Sequence, residues 1–188
     1  MDTQQFWTLI EEARSQVPTP DNGDAVVERA TTLLALRPAQ EIVAAQQILW
    51  ALMADSYRAP LWGAAYVING GCSDDGFDYF RGWLITQGRG TFERVITDPD
   101  TLAALPVVRT SAADGLDIEC EDALGMAWNA HRTSTGVDLP DGSFTYRYPE
   151  LDLEWDFDFE DGDELSRRLP RLTELYTEQD RADASTPL

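Results

Sequence analysis

The sequence predicts a mainly α-helical single domain that carries an acidic extended strap or short β segment near its C-terminus. Three observations support that expectation. Apolar residues recur at helical spacing in stretch after stretch up to residue 136. Proline, glycine and Asn-Gly breaks separate those stretches. Strict two-residue alternation is confined to the region after residue 136. About seven or eight helices are expected, with a helical core over 1–136 and the acidic strap plus a C-terminal helix over 137–188 packed on it. A chain of 188 residues with 43% hydrophobic content and six Trp has enough apolar surface for such a core.

In chain order, Phe6, Leu9, Ile10 and Ala13 place a first helix at Thr3 to Gln16, and Pro18, Pro20 and Gly23 end it. Val26, Val27, Ala30, Leu33 and Leu34 line one side of a second helix, Asp24 to Leu36. Pro38 suits the first turn of a third helix that runs to about Arg58, with Ile42, Ala45, Gln46, Leu49, Leu52 and Met53 along its stripe. Pro60 opens a segment to Ile68 that is apolar almost all round and so should be buried. After Asn69-Gly70-Gly71, Ser73 caps a helix from Asp74 to Gln87, with two acids where the helix dipole favours them. Thr91 to Ile96 continues helical, and Asp98-Pro99 starts a short helix through Leu105. Pro106 to Gly115 reads as a loop. A late helix runs from about Ile118 to Thr135 and stops at Gly136.

Composition changes after Gly136. Asp138 to Leu165 holds eleven acids and one base, Arg147. Leu151, Leu153, Trp155, Phe157 and Phe159 alternate with Asp152, Glu154, Asp156, Asp158 and Glu160, which predicts an extended segment with one apolar and one acidic face. Phe144, Tyr146 and Tyr148 alternate likewise. A last helix is expected near Gly162 to Thr177.

The charge balance excludes some classes of function. The formal net charge is −20, and all the cations are arginines. So acidic a surface repels phosphate backbones and anionic lipids, so neither nucleic acid nor a membrane is expected as a partner. No apolar run reaches the roughly 18–20 residues that span a bilayer. The start MDTQQFW lacks a basic region and an apolar core of the secretory kind, so a cytoplasmic chain with two reduced thiols is expected. Cys72 and Cys120 show no zinc-type spacing, His131 is the only histidine, and no phosphate loop or dinucleotide fingerprint occurs. No metal and no cofactor are expected.

The densest stretch is Trp62 to Gly88. Three separated motifs occur in order: FWTLIEEAR at Phe6 to Arg14, GGCSDDGFDYFRGWLITQG at Gly70 to Gly88, and DPDTLAAL at Asp98 to Leu105. Together they resemble the bacterial family called domain of unknown function 4240, over roughly residues 1 to 136. The late helix departs most from that family's pattern, although its Thr135-Gly136 ending fits. The resemblance implies a shared fold and no activity.

The residues themselves suggest where a ligand or partner could bind. Phe77, Phe80, Arg81, Leu84 and Ile85 share one helix face, so Arg81 sits inside an apolar stripe. A buried guanidinium needs partners, and Asp78 or Asp74 lies within reach along the helix. The bland reading is a brace; the functional one is a carboxylate-binding arginine. Asp74 and Asp75 could hold a cation, yet neighbours on a helix point about 100° apart, which favours simple dipole compensation. Gly70-Gly71 could cradle an anion, but the adjacent acids would repel it. Cys72 precedes a helix N-terminus, where the same acids oppose thiol activation. His131 lies on a stripe with Leu124, Ala127 and Trp128, where a satisfied core role is expected. The ligand- or partner-binding residues nominated are Trp62, Cys72, Asp74, Asp75 and Arg81, with Asp152, Glu154, Asp156 and Asp158 of the strap. The leading expectation is a non-catalytic interaction or regulatory protein whose acidic face meets a basic partner, for instance an immunity-like protein against a basic toxin. The alternative is an enzyme or small-ligand binder that uses the Trp62–Arg81 region.

Overall fold

Helical periodicity translates into ten α-helices and two 3-10 helices in the computed structural model, which describes residues 1–151 and 153–184. The helices are α1 (Thr3–Ser15), α2 (Gly23–Ala35), α3 (Ala39–Asp55), α4 (Ala59–Asn69), α5 (Asp74–Thr86), α6 (Arg89–Thr97), α7 (Pro106–Asp114), α8 (Asp122–Thr135), α9 (Gly162–Arg168) and α10 (Pro170–Ala184). The 3-10 helices are Pro99–Ala104 and Leu153–Trp155. The count exceeds the seven or eight expected, and no strand forms among the described residues. No helix among them is long and apolar enough to cross a membrane.

Two departures add helices, and a third moves a boundary. Pro106 to Gly115 is α7 rather than a loop: Pro106 fills the first helical turn, Val108, Ser111 and Ala112 face inward, and Gly115 ends the helix at φ 62°. The last helix is two, because Pro170 has no N–H to continue α9 and instead opens α10. The late helix begins at Asp122. The residues before it are used otherwise: the Cys120 amide donates to the Tyr79 carbonyl at 3.0 Å.

The chain divides into two units, Met1–Ser56 with Asp78–Phe92 and Glu119–Pro149, and Tyr57–Phe77 with Glu93–Ile118 and Glu150–Leu188. In the first, α2 packs on α1 and α8, and α3 packs on α8. A capping box at Asp2 and Gln5 starts α1, whose Phe6, Trp7, Leu9, Ile10 and Ala13 are buried. Arg14 donates 2.7 Å bonds to the carbonyls of Pro20 and Thr86 and so ties α1 to the end of α5. Gly82 permits a close approach: a Cβ there would stand 2.8 Å from the Cys120 carbonyl and 3.0 Å from the Ala123 Cβ. Phe144, Tyr146 and Tyr148 form no strand pair. Tyr146 stacks on Trp50 with centroids 4.4 Å apart, and the Gln47 amide both donates to and accepts from the Thr145 backbone at 2.9 Å. One side-chain amide thus supplies what a neighbouring strand would.

In the second unit α10 packs on α4, α7, α9 and the Pro99–Ala104 turn. Asp100 is buried at the start of α10, where it accepts from the Arg171 and Leu172 amides at 3.2 and 2.9 Å and from Arg171 Nε at 2.8 Å. Asn69 clasps Ile118 in the manner of Gln47, accepting from its amide at 2.9 Å and donating to its carbonyl at 3.2 Å.

Among its described residues, the segment 151–160 is not the extended strap or β segment that its alternation predicts. A 3-10 turn covers Leu153–Trp155, and turns follow: the Asp161 amide donates to the Asp158 carbonyl at 2.8 Å, and the Glu160 amide to the Asp158 carboxylate at 3.0 Å. A lone strand has no ladder to satisfy its backbone, whereas aspartates fold the chain into local turns. The alternation survives as burial. Trp155, Phe157 and Phe159 are half-buried, and Asp156, Asp158 and Glu160 are exposed. Leu153 breaks the pattern at 85% exposure.

Candidate functional site

The second unit contains an open groove of about 500 Å³. Its floor comes from α4. Trp62 and Tyr66 are one turn apart there and so share a face. Trp62 is fixed from two sides, stacking on Phe77 at 4.7 Å and donating from Nε1 to the Cys72 carbonyl at 3.0 Å. Ala59 and Cys72 complete that side.

The opposite wall comes from Leu151, Leu153, Trp155, Asp156, Phe157, Asp158 and Phe159. Trp155 can lie against α4 because residue 63 is glycine: a Cβ there would be 3.0 Å from the indole edge. Successive rings touch one another, Trp155 with Phe157 at 5.7 Å and Phe157 with Phe159 at 5.5 Å, and Phe159 reaches Tyr66 at 5.8 Å. The Arg168 guanidinium lies 4.8 Å from the Trp155 ring centre and 4.9 Å from that of Phe157. Its Nε donates to Glu164 at 3.0 Å. Hydrogen bonds from Arg167 and Arg168 hold the Glu164 carboxyl below its ordinary value.

Of the residues nominated from sequence, Trp62, Cys72, Asp156 and Asp158 line this groove. Asp74 and Asp75 do not. They are exposed in the first turn of α5, where the Ser73 hydroxyl accepts from the Gly76 amide at 3.1 Å. Glu154 is exposed and is not part of the lining, and Asp152 lies outside the described residues. Tyr66 was not nominated, although its spacing from Trp62 in WGAAY carries the signal.

Arg81 belongs to the first unit and is completely buried. Its guanidinium donates to the Met53 carbonyl and to Asp78, and its centre lies 4.9 Å from the Tyr148 ring centre. The Tyr148 hydroxyl donates to both Asp78 oxygens at 3.2 and 3.3 Å, and burial, ahead of its charged neighbours, pushes that phenol up. This is the brace reading, with Asp78 as a carboxylate partner.

The lone histidine serves a turn. His131 is 5% exposed, and its Nδ1 stands 2.9 Å from the Val137 carbonyl and 3.2 Å from the Thr135 hydroxyl, next to the α8 stop at Gly136. Among the described residues no three His, Cys, Asp or Glu side chains group as a metal site requires.

Cys120 is buried in the first unit. Desolvation, then the hydrogen bond and charge of Asp24, push its thiol from 9.0 up to about 12. Such a thiol is inert at neutral pH. The folded chain therefore keeps a proton that the unfolded chain releases, so this contribution to stability is whole below pH 9.0 and is lost as pH rises toward about 12. Tyr148 and Tyr176, both raised by burial, add in the same direction. Urea titrations from pH 8 to 11 are expected to show falling stability, with a shallower fall in Cys120→Ala. A profile unchanged by that substitution would contradict the assignment.

The family model described as Protein of unknown function (DUF4240) matches residues 1–133. The chain belongs to this family. The DUF4240 match includes Trp62, Tyr66 and Cys72 on the α4 side of the groove, whereas the aromatic wall Leu151–Phe159 follows the matched residues. No curated protein and no solved structure matches the chain.

Proposed function

We propose that the chain is a non-catalytic binding protein that docks a basic partner through the aromatic groove of its second unit. The observation behind this reading is the pairing of five aromatic side chains, Trp62, Tyr66, Trp155, Phe157 and Phe159, with two exposed carboxylates, Asp156 and Asp158, around one groove. Ring faces attract cations, and a carboxylate beside them supplies the counter-charge. A net charge of −20 steers positive partners toward the surface and repels anionic ones. The groove's volume of about 500 Å³ suits one or two inserted side chains or a small cationic molecule. An immunity-like role against a basic toxin is one form this binding could take.

The test uses a synthetic basic peptide of mixed arginine and lysine, with the six tryptophans replaced by 5-fluorotryptophan and followed by fluorine NMR. The Trp62 and Trp155 signals are expected to shift on titration at low salt. Affinity should fall as ionic strength rises, because exposed carboxylates are screened. Asp156→Asn with Asp158→Asn should weaken binding roughly ten-fold, about 0.2–1 kcal/mol for each exposed ion pair. Shifts confined to the other tryptophans would refute the groove as the docking site.

A further inference from the structure

Building on that docking reading, we infer that the group anchored in the groove is an arginine guanidinium of a partner segment, taken flat against the aromatic wall and paired with Asp156 or Asp158. The chain already holds two of its own arginines in this way. Arg168 lies 4.8 and 4.9 Å from the ring centres of Trp155 and Phe157 with Glu164 as its carboxylate. In the other unit, Arg81 lies 4.9 Å from the Tyr148 ring centre with Asp78 as its carboxylate. Each is a triad of guanidinium, ring face and acid. Arg168 is not among the residues lining the groove, so it leaves the groove open while showing what the wall's rings accept.

The groove offers the remaining two members of such a triad without the third. Trp62 and Tyr66 present rings from α4, Phe159 presents one from the wall, and Asp156 and Asp158 stand exposed on either side of Phe157 in sequence. A guanidinium is planar and weakly hydrated, so it can leave water, stack on a ring and still direct two N–H groups at a carboxylate. A lysine ammonium is compact and strongly hydrated, and it gains from the charge without fitting the slot. Leu153, 85% exposed at the groove, offers apolar surface for the methylene stem of the entering arginine.

The experiment compares three peptides of equal length that bear three arginines, three lysines or three citrullines, titrated into the full chain at moderate salt. Citrulline keeps the planar shape and removes the charge. The arginine peptide is expected to bind roughly ten-fold more tightly than the lysine peptide, with the citrulline peptide weakest. Tyr66→Leu should erase the preference between arginine and lysine. Leu153→Arg sits at an exposed position and so leaves the fold undisturbed, and it should repel all charged peptides. Equal, salt-sensitive binding of the arginine and lysine peptides would overturn the arginine anchor while leaving the docking reading in place. No binding of either charged peptide would overturn both. A preference for arginine that survives Tyr66→Leu and Leu153→Arg would place the anchor elsewhere and overturn the inference.

Discussion

Arg81→Ala is expected to cost the first unit about 3–5 kcal/mol, enough to unfold it under mild conditions, because the change leaves the Asp78 carboxylate without its buried partner. Three contacts vanish together: the donations to the Met53 carbonyl and to Asp78, and the stacking beneath Tyr148. Truncating so large a fully buried side chain also opens a cavity within the first unit, where Phe80 and Leu84 of α5 are fully buried too. Arg81→Met keeps volume and removes the charge. It should lose less than alanine only by the cavity, because Asp78 is still stranded, and Arg81→Met combined with Asp78→Asn should lose least, since no charge is then left without its partner. Urea unfolding followed by tryptophan fluorescence measures all three. A double variant no more stable than Arg81→Met alone would show that charge pairing is not the source of the effect.

Asp100→Ala should cost about 2–3 kcal/mol and act on α10. Asp100 caps that helix across a wide sequence gap, with both oxygens engaged: one accepts from the Leu172 amide, the other from the Arg171 amide and Nε. Alanine leaves the amide of the fully buried Leu172 without an acceptor at the helix start. Asp100→Asn retains an oxygen and should lose roughly half as much. Hydrogen exchange at α10 provides the local reading: protection should fall there first. Protection of α10 that matches the unsubstituted chain would refute the capping role.

How much of this was legible follows from the range of each interaction. Arg81 declared itself by standing in an apolar stripe, and Asp78 by standing one turn before it. The Met53 carbonyl and the Tyr148 ring, which also hold it, come from residues 28 and 67 positions away, and no local spacing encodes them. Trp62, Cys72, Asp156 and Asp158 were visible as unusual residues, but only tertiary packing brings them to one groove. The alternation over 151–160 encoded the inward turn of Trp155, Phe157 and Phe159, though not of Leu153, and not the backbone conformation, because burial needs only a surface to lie on, whereas a strand needs a second strand. Helix α7 was missed for a related reason. Val107 and Val108 argue against a helix by propensity, and the burial of Val108, Ser111 and Ala112 overrides them.

The Asn69 clasp on Ile118 bears on how the protein ages. Asn69 is followed by Gly70, the pairing most prone to spontaneous deamidation, in which the glycine nitrogen attacks the side-chain amide carbon, ammonia leaves and a succinimide ring closes. That ring needs the Asn69 side chain to swing back over its own backbone. Here the amide is held by two hydrogen bonds to Ile118, at 2.9 and 3.2 Å, and residue 69 ends an α-helix. The bonds that join Ile118 to α4 therefore also protect a chemical weak point, and any opening that frees Ile118 exposes Asn69 to irreversible conversion.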